Sequence, residues 1–170
     1  MSSSLYNTTI PTFISGLKTL SHILKKGEEY ATEKGIPLDD LLNARLHEDM
    51  KPLSFQIFIT ILLIEKTIAR AQLVEPAAPA PEAKTYQELY TSIDNTLTEV
   101  QKITPAAFAG KEQTTFKAPL GDQELEFTPE SYVLNFGLPN IYFHITTTYA
   151  ILRAQGVPLG KLDFLKNFLA

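Results

Sequence analysis

The side chains best suited to chemistry in this sequence are its three histidines, His22, His47 and His144. Histidine has an unperturbed pKa near neutrality, so it serves as general base, hydrogen-bond partner or metal ligand. His22 lies among alternating polar positions of a helical pattern, which predicts a solvent-facing or capping role. His47 lies in an acidic segment with Glu48 and Asp49, where an ordinary loop residue is the simplest interpretation.

His144 differs from the other two because its neighbours are apolar. Asn140 precedes it by four residues, so on a helix the two side chains share a face, which Thr148 and Tyr149 continue. The flanking residues are large and apolar: Ile141, Tyr142, Phe143 and Ile145. Polar groups in such surroundings need hydrogen-bond partners or a ligand. Two interpretations follow: an internal polar network that fixes the helix register, or a binding or catalytic site.

Composition and motifs exclude several other kinds of chemistry. The chain has no cysteine, so it has neither disulfides nor thiolate nucleophiles and ligands. Its glycines form no phosphate-binding loop, and no serine stands in a nucleophile-elbow sequence. The net charge of -4, without a cluster of Lys and Arg, argues against nucleic acid as a partner.

Hydrophobic periodicity predicts that helices position these residues. The pattern indicates four long helices in one domain over residues 1–170: 10–34, 52–73, 86–103 and 129–155. Thr128 suits the N-cap of the last one, and Pro139 predicts a kink near Leu138. Between the third and last helices, the alternation of Phe116, Ala118 and Leu120, then Leu125 and Phe127, around Gly121-Asp122 predicts a β-hairpin.

Short helices are predicted at 38–44 and 161–169, the second docked through Leu162, Leu165, Phe168 and Leu169. The first half of the second long helix, 52–64, is apolar almost all the way round, which predicts burial on several sides or a homodimer interface. At about 13 residues it is shorter than the roughly 20 that a membrane span needs. The Pro/Ala spacer 74–83 is long enough to run along the bundle, so the helices it joins need not be antiparallel neighbours.

Three stretches of the sequence resemble one family: SLYNTTIPTFISGLKTLSHIL, ARLHEDMKPLSFQ and LPNIYFHITTTYAILRAQGVPLGKLDFL. This is an uncharacterised family of fungal and bacterial proteins related to the DinB/YfiT-like helical-bundle metalloenzymes. The resemblance covers residues 5–165, and NIYFHITTTYAILR followed by GVPLGKLDF is its most specific part. It implies an all-α, DinB-like four-helix bundle with a crossover between the second and third helices.

In the wider superfamily, three histidines hold a divalent metal, often zinc or nickel. One comes from the second helix and two from an H-x-x-x-H pair on the last long helix. Aligning the ILR-x-x-G run places that pair on Asn140 and His144, and the helix-two position falls near Gln56. One histidine and two amides would bind such metals poorly. The resemblance therefore implies a metal-free polar patch of Gln56, Asn140 and His144 in the bundle interior.

Three functions remain open. The first is binding or transformation of a small lipophilic or aromatic molecule, with His144 as hydrogen-bond donor or general base and with Gln56, Asn140 and Tyr149 contacting the ligand. The second is a divalent-metal hydrolase or thiol transferase of the DinB-like type, in which His47 and Asp49 complete the site. The third is a homodimeric interaction protein. The sequence lacks the pattern of a secretion signal, so a cytoplasmic location is expected.

Overall fold

The structure, a computed structural model, describes residues 4–169. It contains the four predicted long helices, three short helices and one two-stranded hairpin. In chain order the elements are α1 (Ser4–Lys34), α2 (Leu38–Asn43), α3 (Leu53–Ala71), α4 (Tyr86–Gln101), a 3₁₀ turn (Pro105–Ala107), β1 (Phe116–Leu120), β2 (Gln123–Phe127), α5 (Pro129–Tyr132), a π-helical turn (Val133–Gly137), α6 (Leu138–Ala154) and α7 (Lys161–Leu165).

The core lies between α1, α3, α4 and α6, and it is built from the apolar stripes that the periodicity predicted. Phe13, Leu17 and Leu20 on α1 are fully buried, as are Ile57 and Ile64 on α3. Each such side chain contributes about 1.5–3 kcal/mol to folding through removal of apolar surface from water. Within residues 4–169, none of the helices has the length and apolar character that crossing a membrane requires.

Close contacts at two glycines show that α1 and α6 run in the same direction. Gly16 lies against Ile145, and Gly27, further along α1, lies against Leu152, further along α6. A Cβ on Gly27 would lie 2.9 Å from Cδ2 of Leu152. These positions therefore let the two helices approach more closely than a larger residue would allow.

The α3 helix runs opposite to α6. Gln56, near the start of α3, is hydrogen-bonded to His144 in the middle of α6. Thr67, near the end of α3, lies against Gly137 immediately before α6. The contact between α3 and α6 is the most extensive between any two helices of residues 4–169. It places the polar residues of α3 and α6 side by side.

The α4 helix runs parallel to α3, because the spacer between them returns to the start of α3. Ser54 Oγ lies 3.3 Å from a carboxylate oxygen of Glu82, at the end of the spacer. Further along, Thr96 of α4 lies 3.4 Å from Glu65 of α3. The predicted crossover between the second and third long helices is thus present.

The spacer itself covers part of α3. Residues Pro79, Ala80, Pro81 and Ala83, together with α4, form a narrow apolar pocket over Ile57, Phe58, Ile61 and Leu62. Contacts with α1, α4 and α6 account for the other sides of α3. The apolar circumference of this helix is therefore largely covered within one chain, and the homodimer stays a prediction.

The predicted hairpin is present, with β1 and β2 antiparallel from Phe116 opposite Phe127 to Leu120 opposite Gln123. Gly121 has φ +61°, the left-handed conformation that a two-residue hairpin turn requires and that glycine adopts without strain. The hairpin attaches to the bundle through aromatic contacts, because the rings of Phe116 and Phe127 lie 5.5 and 5.2 Å from that of Tyr132.

The chain from Pro129 to Ala154 is helical throughout, with a π-helical turn where a kink was predicted. Thr128 caps α5 as expected, since its hydroxyl accepts a hydrogen bond from the Ser131 amide. Pro139 has no N–H to donate, and the wider turn absorbs this loss: the Leu138 amide bonds the Val133 carbonyl, five residues back. The turn sets the orientation of α6 and of the side chains that follow it.

The prediction for the terminal helix is partly wrong. Leu162 and Leu169 are 72% and 73% exposed, so they do not dock this segment. The ring of Phe164 lies 6.2 Å from that of Tyr149, and the ring of Phe168 lies 5.8 Å from that of Tyr142. Phe168 therefore packs as predicted, whereas Phe164, which was not predicted to dock, takes the place expected of Leu162.

Candidate functional site

The site predicted around His144 contains one direct contact between helices. Nδ1 of His144 lies 2.7 Å from Oε1 of Gln56, which joins α6 to α3. Gln56 is buried, with 3% of its surface exposed, whereas His144 is half-buried. The prediction that the amide and the imidazole lie together agrees with this geometry.

A second hydrogen bond fixes which nitrogen of His144 carries the proton. Nε2 of Gln56 donates to the backbone carbonyl of Lys51 at 2.9 Å. A carbonyl only accepts, so the other amide atom of Gln56 is its oxygen, and Nδ1–H of His144 must donate to it. The neutral imidazole then presents an unprotonated Nε2, which has no hydrogen-bond partner within residues 4–169.

The surroundings of the ring favour this neutral form. Burial lowers the pKa of His144, since a charged imidazolium is less well solvated there than in water. The ring of Phe143 stands nearly perpendicular to the imidazole, at 87° and 5.1 Å between centroids. Phe143 is itself 57% exposed, so the imidazole and the aromatic ring lie at the same partly open surface.

Three other polar side chains near His144 bond within the continuous helical segment that contains α6. Nδ2 of Asn140 donates to the Phe136 carbonyl at 2.8 Å. The hydroxyls of Thr147 and Thr148 donate to the carbonyls four residues before them. Asn140 and His144 share a face, as predicted, but their side chains engage different partners.

They lie at a half-exposed boundary between α3 and α6, whereas an interior hollow was expected. Asn140 and His144 are both half-buried, and only Gln56 is fully buried. The pockets along α3, the spacer and α4 are lined by neither Gln56 nor His144. A ligand of His144 would therefore bind at the boundary between α3 and α6.

The remaining residues of the predicted site have other contacts. His47 and Asp49 pair with each other in the exposed loop before α3, with Nδ1 and Oδ1 2.7 Å apart. The hydroxyl of Tyr149 lies 3.4 Å from the Leu159 carbonyl, and its ring contacts Phe164. Among the six predicted residues the structure therefore joins two separate pairs, Gln56 with His144 and His47 with Asp49.

These residues do not fit a zinc or nickel ion. Both ends of the Gln56 amide are engaged, and Asn140 offers only a neutral amide oxygen, which leaves Nε2 of His144 as the single good metal ligand among the three. Zinc and nickel sites draw on several imidazole, thiolate or carboxylate ligands. In the part of the chain that the structure describes, no three His, Cys, Asp or Glu side chains lie close enough to hold a metal.

His22, for which a solvent-facing or capping role was predicted, is partly buried and bonds Asp163, the residue that accepts a hydrogen bond from the Gly160 amide at the start of α7. Its Nε2 lies 2.8 Å from Oδ1 of Asp163, and its Nδ1 lies 3.0 Å from Nζ of Lys166. Lys26 also bonds both oxygens of Asp163 at 3.1 Å. This network attaches the terminal segment to α1. The two segments are about 140 residues apart in sequence. The sequence therefore contained no sign of this network beyond the polar residues in each segment.

The comparisons with known proteins agree with this architecture. The family described as a domain of unknown function (DUF1993) matches residues 5–165. A crystal structure of a DinB family member protein from Shewanella denitrificans superposes with a TM-score of 0.85, at 33% sequence identity, over 96% of this chain and 93% of that chain. No match was found among curated proteins. The chain therefore belongs to the DUF1993 family and has the fold of a DinB-like helical bundle.

Proposed function

We propose that this protein binds a small lipophilic or aromatic molecule at the boundary between α3 and α6, with His144 as the polar contact. One observation carries the proposal: Nε2 of His144 has no hydrogen-bond partner within residues 4–169, and the half-buried ring to which it belongs lies beside Phe143. A polar atom without a protein partner at a partly apolar surface is suited to a ligand or to water.

The exposed ring of Phe143 beside His144 suits the apolar part of such a ligand. Phe143 is 57% exposed, and its ring contacts the imidazole. Exposed aromatic surface next to a single polar group is typical of small-molecule sites. Because Nε2 accepts hydrogen bonds, His144 is better placed to act as acceptor or general base than as donor.

The two alternatives have less support. A metal-dependent hydrolase or thiol transferase requires donors that Gln56 and Asn140 do not supply. A homodimer built on the first half of α3 requires a free apolar face, and the spacer and α4 cover much of that face. We further propose a cytoplasmic protein without nucleic-acid partners, in keeping with its net charge of -4.

An NMR titration of protein with isotope-labelled histidine tests the proposal. Phenol, indole and toluene are titrated while the His144 ring resonances are followed, and we expect at least one to shift them in a saturable manner. The His144→Ala variant should lose this binding, whereas Thr146→Ala, an exposed position on the same helix, should retain it. Unperturbed His144 resonances with all three compounds at millimolar concentration would contradict the proposal.

A further inference from the structure

We propose that the ligand of this site is an uncharged aromatic molecule with a hydroxyl donor, of the phenol class, and that Gln56 selects it by fixing the tautomer of His144. This inference rests on the proposed function and specifies its ligand. It concerns the direction of hydrogen bonds, which the contacts between Lys51, Gln56 and His144 determine.

The first step is that Gln56 acts through His144. Both ends of its buried amide are engaged, one with the Lys51 carbonyl and one with Nδ1 of His144. A ligand that displaced either bond would leave a buried polar group without a partner, which is unfavourable. Gln56 is therefore a positioning residue that holds Nε2 as an acceptor.

The second step is that the atom His144 presents to a ligand is an acceptor. One amide hydrogen of Asn140 and the hydroxyls of Thr147 and Thr148 are directed to carbonyls of their own helical segment. A carboxylate ligand would place its lone pairs against that of Nε2, which is unfavourable. A molecule with a hydrogen-bond donor matches Nε2.

The third step is that the hydrogen-bond donor of the ligand is an uncharged group. No carboxylate contacts Gln56 or His144 in the described chain, so an ammonium ligand would lose water without gaining an opposite charge. A hydroxyl is desolvated at smaller cost and makes a good hydrogen bond to an imidazole nitrogen. Phe143, perpendicular to the imidazole and more than half exposed, supplies the apolar contact for an aromatic ring.

The experiment compares four probes of nearly equal shape: 4-methylphenol, toluene, 4-methylbenzoate and 4-methylbenzylamine. Dissociation constants are measured from shifts of the ¹⁵N ring resonances of His144 at one pH near neutrality. We expect 4-methylphenol to bind roughly tenfold more tightly than toluene, the difference that about one net hydrogen bond makes. The benzoate and the amine should bind more weakly than 4-methylphenol.

A variant tests the role of Gln56 separately. Gln56→Leu removes the acceptor at Nδ1, so the proton should redistribute toward Nε2, which the two ¹⁵N shifts report directly. The preference for 4-methylphenol over toluene should then largely disappear, while toluene binding stays close to that of the native protein. Gln87→Leu, the same change at an exposed position of α4, should leave the tautomer and the preference unchanged.

The outcomes separate the two proposals. Saturable binding of toluene and 4-methylphenol with equal affinity would overturn the ligand class and leave the binding function standing. Tighter binding of the benzoate, or a native His144 protonated at Nε2, would also overturn it. If no probe shifts the His144 resonances, the binding function fails, and the ligand class fails with it.

Discussion

Gly137 lies directly against Thr67, at the junction between the π-helical turn and α6. A Cβ on Gly137 would lie 2.6 Å from Cγ2 and 2.7 Å from Oγ1 of Thr67. Thr67 is fully buried, and its hydroxyl has no hydrogen-bond partner in the described chain. Close packing at this point therefore holds the start of α6, and with it Asn140 and His144, against α3.

Replacing Gly137 with alanine should destabilise the protein. Alanine gains about 1 kcal/mol in helix propensity, but overpacking costs about 1–3 kcal/mol, and the β-branched Thr67 has little freedom to move. We expect a lower midpoint of urea unfolding. Gly16→Ala is the control, because its Cβ would meet only the flexible end of Ile145 at 3.0 Å. Equal effects of the two substitutions would contradict this interpretation.

Two tyrosines on α4 should respond differently to loss of their hydroxyl groups. The Tyr86 hydroxyl is buried without a hydrogen-bond partner within residues 4–169, whereas that of Tyr90 donates to Glu28 at 3.0 Å. We expect Tyr86→Phe to leave the free energy of unfolding unchanged or raised, and Tyr90→Phe to lower it by about 0.5–1.5 kcal/mol. Chemical denaturation of both variants measures the difference. A substantial loss in Tyr86→Phe would indicate a partner, such as a buried water.

The attachment of the terminal segment should depend on pH through Asp163. Burial raises the pKa of this carboxyl, but hydrogen bonds from the Gly160 amide, His22 and Lys26 outweigh that effect and hold the pKa well below its usual range. The folded state thus binds the proton less readily than the unfolded state. The stabilisation is complete above the usual Asp pKa of about 3.9 and is lost as the pH falls below it.

The Asp163→Asn variant tests this direction of the pH dependence of stability. At pH 7 we expect it to be less stable than the native protein by about 1–3 kcal/mol, and the gap should narrow in acid. Urea unfolding at several pH values measures the gap. Glu33→Gln breaks an exposed ion pair with Lys34 and should leave stability nearly unchanged at every pH, because solvent screens such pairs. A gap for Asp163→Asn that is independent of pH would rule out the electrostatic explanation.

Metal binding should appear only when histidines are restored. We expect chelators and added zinc to leave the melting temperature of the native protein unchanged, because His144 is the single strong metal ligand among Gln56, Asn140 and His144. The double variant Gln56→His with Asn140→His should show a melting temperature that rises with zinc, because binding to the folded state stabilises it. Elemental analysis provides a second measurement. Stoichiometric zinc in the native protein that His144→Ala loses would contradict this prediction.

Local sequence patterns predicted the helices, the Thr128 cap and the hairpin, because each depends on residues within a few positions of one another. The contact between Gln56 and His144 followed from the family resemblance. The network of His22, Lys26 and Asp163 was missed, since it joins segments from opposite ends of the chain. The bonding of Asn140 within its own helix was also missed, because helical spacing indicates which face a side chain shares and leaves its partner undetermined.

The length of the spacer between α3 and α4 fixes where α4 begins along α3. It must return along α3, whose 19 residues span about 28 Å, to bring Glu82 beside Ser54. About ten residues of extended chain reach roughly 31 Å, so little slack remains. Shortening it would draw α4 out of register with α3, whereas exposed residues such as Ala77 and Ala78 are free to change in identity. Evolution of this segment is therefore constrained in its number of residues, and its prolines keep the backbone extended.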